Sequence, residues 1–181
     1  MSLSKADDVL TFWFEDSGPA DWFKKDDDFD RLISTRFGGL VQRAGDGKQD
    51  HWMDTPRSCL ALVIILDQFP RNMFRGSSRA FATDEKARQV ARRGITLGYD
   101  RGYDEDECAF FYLPFEHSEL MEDQNTSLGL FQALGSPEYL DYALKHRDVI
   151  ERFGRFPGRN AALGRKSTPD EKKYLDTEGG F

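Results

Sequence analysis

The sequence has little of what small or unusual folds depend on. It has two cysteines, Cys59 and Cys108, and neither shows metal-ligand or redox spacing. Seven prolines and 16 glycines in 181 residues exclude a collagen-like or linker-like chain. No apolar run exceeds the eight residues from Cys59 to Leu66, where a membrane helix needs about 20. Met1 to Asp8 lack the cationic start and apolar core of a signal peptide, so a cytoplasmic protein with reduced thiols is expected. Basic residues are outnumbered 25 to 32, and the net charge of −7 argues against nucleic acid or an anionic membrane as a partner. Phosphate-binding loops, serine-nucleophile elbows, dinucleotide fingerprints and close-spaced histidine motifs are missing too, so no cofactor or metal is implied. The carboxylates of Asp104-Glu105-Asp106-Glu107 raise the pKa of the Cys108 thiol that follows them and make it a poor nucleophile.

What is present suits one globular domain over residues 1–181, large enough to bury about 70% of its unfolded surface. Helical periodicity recurs along almost the whole chain and no alternating strand stands out, so the fold class is all-α, with seven to eight helices. Ser4 is placed to cap the first helix, with Val9, Leu10, Trp13 and Phe14 on one face. Phe29, Leu32, Ile33, Phe37, Leu40, Val41 and Ala44 form the stripe of a second, in which Gly38-Gly39 suggests a close helix contact. Thr55-Pro56 opens a third, apolar on every face and so the buried centre of the fold. It is expected to end near Phe69, ahead of Pro70.

Thr83-Asp84-Glu85 starts a fourth helix, which Gly98 stops. Asp104 and Glu107 form a capping box for a fifth, expected to break at Leu113-Pro114. A sixth runs from about Ser118 to Leu134 with Leu120, Met121, Leu128 and Phe131 inward. Ser136-Pro137 opens a seventh that Gly154 terminates, and Thr168 caps a short last one.

Polar chemistry gathers in three motifs. The first, Asp67-Gln68-Phe69-Pro70-Arg71-Asn72-Met73-Phe74-Arg75, offers either a buried ion pair of Asp67 with Arg71 or Arg75, or arginines aimed at an anion. The second runs from Arg152 to Lys166 with four arginines, one lysine and no acid. Its Arg155, Arg159, Asn160 and Arg165 either hold a phosphate or carboxylate, or pair with the acidic stretch from Asp104 to Asp123. In the third, His117 and Glu119 stand at a helix boundary, a combination suited to general acid–base work. His146 lies on the apolar side of its helix and reads as a core histidine, or as a partner of His117 in a shared site.

Several of these motifs occur in an order that resembles the domain of unknown function 924 family. They are Leu66-Asp67-Gln68-Phe69-Pro70-Arg71-Asn72, Ala80-Phe81-Ala82-Thr83-Asp84, His117-Ser118-Glu119, His146, Phe153-Gly154-Arg155-Phe156-Pro157, Arg159-Asn160 and Leu163-Gly164-Arg165. The resemblance covers essentially the whole chain. It implies antiparallel helical hairpins in a superhelix like that of tetratricopeptide repeats, and it brings no established activity. Gly158 stands where the family pattern has histidine. The function expected first is recognition of a small phosphate- or carboxylate-bearing molecule by Asp67, Arg71, Asn72, Arg75, His146, Arg155, Arg159, Asn160 and Arg165, with His117 and Glu119 as the reactive pair. A groove gripping an acidic peptide is the second reading. Motifs that only lock the fold are the third.

Overall fold

The computed structural model describes residues 5–180. No strand occurs among them, and the all-α expectation holds with nine α-helices where seven to eight were expected. The additional helix is the four-residue α2, a turn too short to leave a periodic signature. The helices are α1 (Lys5–Thr11), α2 (Pro19–Trp22), α3 (Asp27–Gly45), α4 (Pro56–Met73), α5 (Asp84–Thr96), α6 (Glu105–Glu116), α7 (Met121–Leu134), α8 (Pro137–Phe153) and α9 (Pro169–Glu178). Ser4, the expected first cap, lies outside the described residues.

The chain divides into two compact units. One comprises the described residues up to Arg75 together with Arg79–Phe111, the other Gly76–Ser78 and the described residues from Tyr112 onward. In the first unit α4 is the centre, packed by α1, α3 and α5. Every residue from Cys59 to Phe69 is buried, as an all-round apolar helix requires. Thr55 caps it, its hydroxyl accepting from the Ser58 N–H. Around it Phe12, Trp13, Trp22, Phe37 and Phe69 interlock with ring centroids 5.0–6.2 Å apart, a range that includes edge-to-face pairs. Phe12–Asp16 is a π-turn continuing α1. The Phe12 and Trp13 carbonyls it leaves accept from the Ser17 hydroxyl, and that of Trp13 also from the Trp22 indole.

Four local expectations are corrected. α4 does not stop before Pro70 but runs on to Met73. Pro70 brings no N–H to the Leu66 carbonyl one turn back, and the Thr83 hydroxyl donates to that carbonyl instead, at 2.6 Å. α6 likewise continues through Pro114 to Glu116. Leu32 is 50% exposed because the buried stripe of α3 runs through Ile33, Phe37, Leu40, Val41 and Ala44 beside it. Leu120 is 60% exposed because α7 starts after it, at Met121. The Ser118 hydroxyl instead accepts from the Leu120 N–H and donates to Asp123 at the break.

The second unit is built on the hairpin of α7 and α8, joined by Gly135-Ser136. Gly135 and Gly154 end the two helices at φ of 83° and 68°, a conformation open to glycine at no steric cost. Val149, Ile150, Phe156 and Tyr174 form a buried cluster that fixes the loop after α8 and the helix α9. α9 begins with a capping box: Thr168 accepts from the Glu171 N–H and Glu171 accepts from the Thr168 N–H.

Candidate functional site

The first motif lies entirely in the first unit. Asp67 is 1% exposed, and Arg71 answers it at 3.3 Å while donating a bidentate pair to Asp84 at 2.8 and 2.9 Å. Arg71 also donates to the Asp67 carbonyl, and Gln68 to the Asp67 carboxylate. The site is thus a triad of one arginine between two buried carboxylates. Burial opposes the charge on Arg71, but Asp67 and Asp84 outweigh it and raise the guanidinium pKa further. Arg75 turns away from Asp67 and grips Asp30, which also accepts from Asn72 at 2.8 Å.

The other two motifs share the second unit, where Glu119 of the third joins Arg155, Asn160 and Arg165 of the second in one network. Arg165 donates to both oxygens of Glu119, at 2.7 and 2.9 Å, and the Phe156 N–H adds a third bond at 2.8 Å. Arg165 Nε continues to Asn160, whose amide reaches Glu171 at 3.3 Å, and Glu171 receives Arg155 through two bonds of 2.6 and 3.0 Å. Burial pushes the Glu119 carboxyl upward, but Arg165 and the Phe156 N–H hold it below the usual carboxylate range. With both oxygens engaged, Glu119 acts as an anchor for the loop after α8. His146 Nδ1 lies 2.9 Å from the Tyr142 carbonyl and 3.3 Å from Glu116, and its ring is 6.3 Å from that of His117. His146 is buried, and its ring neighbours that of His117, while no group of three or more His, Cys, Asp or Glu residues able to hold a metal occurs among the described residues. Arg159 is 8% exposed with its guanidinium 4.4 Å from the Phe156 ring centroid, and Gly158 beside it is exposed in a short 3-10 turn.

A cleft of about 460 Å³ opens in this unit, lined by Arg152, Phe153, Arg155, Thr168, Asp170 and Glu171. Of the sequence-derived candidates only Arg155 lines it. Arg155 uses Nε and Nη2 on Glu171 and the Lys166 carbonyl, so Nη1 makes no hydrogen bond among the described residues. Arg152, its side chain 50% exposed, makes a single 3.3 Å contact from Nη1 to Glu178 and rests over the Phe153 and Tyr174 rings. Arg152 carries no local signal apart from its basic stretch, and Thr168, Asp170 and Glu171 read in sequence as helix-capping residues alone.

No curated protein matches the chain. A similar solved structure is that of the protein of unknown function ATU0120 from Agrobacterium tumefaciens, 44% identical, with a TM-score of 0.90 over 94% of this chain and 96% of that one. The domain of unknown function 924 family, described as a bacterial protein of unknown function, matches residues 9–179. With that match and the shared fold, the chain belongs to this family of bacterial proteins of unknown function.

Proposed function

We propose that the second unit recognises the anionic group, carboxylate or phosphate, of a small molecule in the cleft between the end of α8 and the start of α9. One observation carries the reading: two guanidinium groups in the wall of one cleft keep N–H donors beyond those their internal partners use. A planar guanidinium suits carboxylate and phosphate oxygens. The volume of about 460 Å³ falls in the range of roughly 300–1,000 Å³ typical of small-molecule sites. Arg71, Arg75 and Arg165 take architectural roles in this reading, because their carboxylate partners already engage most of their donors.

Calorimetric titration with inorganic phosphate and with 3-phenylpropionate tests it. Arg152 is half exposed, with one ion pair to the exposed Glu178 and surface contacts over the Phe153 and Tyr174 rings, so Arg152→Gln is expected to keep the fold. The variant is expected to bind either probe about two- to fivefold more weakly, the scale of one partly exposed charge contact. Equal affinities in the two proteins would refute the anion role of the cleft.

A further inference from the structure

The cleft that the anion reading rests on also contains a carboxylate that no described residue engages. Asp170, the second residue of α9, lines the same wall as Arg152 and Arg155. It is exposed and makes no hydrogen bond or ion pair among the described residues. Its neighbour Glu171 differs: 2% exposed, it is engaged by Arg155, Asn160 and the Thr168 N–H. The cleft therefore sets two arginines against two acids, one of them already neutralised by Arg155. A bare anion there gains hydrogen bonds from the guanidinium groups but is repelled by Asp170. A molecule carrying both an anionic group and an ammonium gains from both signs of charge. Phe153, half-buried in the same wall, adds apolar surface for the rest of such a molecule.

We infer that the ligand class of the cleft is a free amino acid with an apolar side chain, its carboxylate on Arg152 and Arg155 and its ammonium on Asp170. The inference rests on the anion reading and adds to it the second charge and the apolar body. It assigns a specificity role to Asp170. The ammonium neutralises the unengaged charge of Asp170, which otherwise disfavours a carboxylate at this place, so the zwitterion is preferred over the simple acid.

Three probes sharing one phenyl body separate the contributions: phenylalanine, 3-phenylpropionate and 2-phenylethylamine, titrated calorimetrically near pH 7. The natural protein, Asp170→Asn, Asp170→Lys and Arg152→Gln are compared, with far-UV circular dichroism as the check on folding. Phenylalanine is expected to bind about two- to fivefold more tightly than 3-phenylpropionate to the natural protein. That ratio falls to about one in Asp170→Asn and inverts in Asp170→Lys, while Arg152→Gln weakens both carboxylates. If 3-phenylpropionate binds as well as phenylalanine and Asp170→Asn changes neither, the inference fails and the anion reading stands. If neither carboxylate binds, or Arg152→Gln has no effect, both fail. Binding of 2-phenylethylamine as tight as that of phenylalanine also overturns the inference, since the carboxylate would then contribute nothing.

Discussion

Glu171 accepts hydrogen bonds from Arg155, Asn160 and the Thr168 backbone at once, and so stays ionised where only 2% of it meets solvent. The Arg155 hydrogen bonds lower its pKa from the ordinary 4.5 to about 2, with the Thr168 N–H helping and burial opposing. A carboxyl depressed on folding supplies stability that is complete above its unfolded value and is lost as the pH falls through its folded one. The contribution of Glu171 is therefore full above about pH 4.5 and disappears toward pH 2. Glu171→Gln should lower the urea midpoint at neutral pH and give a flatter decline over that acid window. A decline as steep as that of the natural protein would show that the charge on Glu171 is not what stabilises the loop. The cysteines follow the same physics in the other direction. Burial pushes Cys59 up to about 12, and burial first, then Asp100, Asp104 and Glu107, pushes Cys108 up to about 11, so both are weak nucleophiles.

Among the elements, α4 and α5 are fitted more closely than a hydrophobic pattern alone requires. The Thr83 hydroxyl that precedes α5 completes α4 where Pro70 leaves a carbonyl without its donor. Further along α5, Gly94 is buried, and a Cβ there would lie 2.9 Å from a Phe111 ring carbon and 3.1 Å from the Cys59 sulfur. Gly94→Ala should therefore destabilise the protein by about 1–3 kcal/mol, the cost of overpacking a core, despite the better helix propensity of alanine. Gly39 in α3 makes the opposite control, since nothing lies within 4 Å of a Cβ built there. Gly39→Ala should stabilise by about 0.5–1 kcal/mol. Chemical unfolding of both variants checks the contrast, and a stabilised Gly94→Ala would mean that α5 can move away from α4. The close approach expected at Gly38-Gly39 is milder, the Met73 methyl group standing 3.4 Å from a Cβ at Gly38.

At the scale of the whole chain, its aromatic probes are unevenly distributed. Trp13, Trp22 and Trp52 all belong to the first unit, and the second carries tyrosines but no tryptophan. Tryptophan fluorescence thus follows the first unit, while far-UV circular dichroism follows the helices of both. The expectation of one domain over the chain predicts a single cooperative step, in which the two signals share one urea midpoint. Separate midpoints would make the two units independent in folding. The charge is uneven as well. A net charge of −7 says nothing of Arg152 and Arg155, which keep donors toward a cleft in a segment where no acid lies between residues 152 and 166.

The sequence by itself determined the helices and most of their ends, because caps and amphipathic stripes are local. Thr55, Thr168, the Asp104–Glu107 box, Gly135 and Gly154 all act within a few residues of where they stand. The two proline positions misled for the same local reason: a missing N–H predicts a break, and Thr83, 17 residues from Leu66, repairs the one at Pro70. Only the tertiary structure decided which carboxylate each arginine would meet. Arg71 chose Asp84 besides Asp67, Arg75 chose Asp30, and Arg155 chose Glu171 rather than the acidic stretch that claimed Arg165 through Glu119. A guanidinium can satisfy any carboxylate that folding brings within reach. Its type announces an ion pair or an anion, and its surroundings alone determine which donors are left for a ligand.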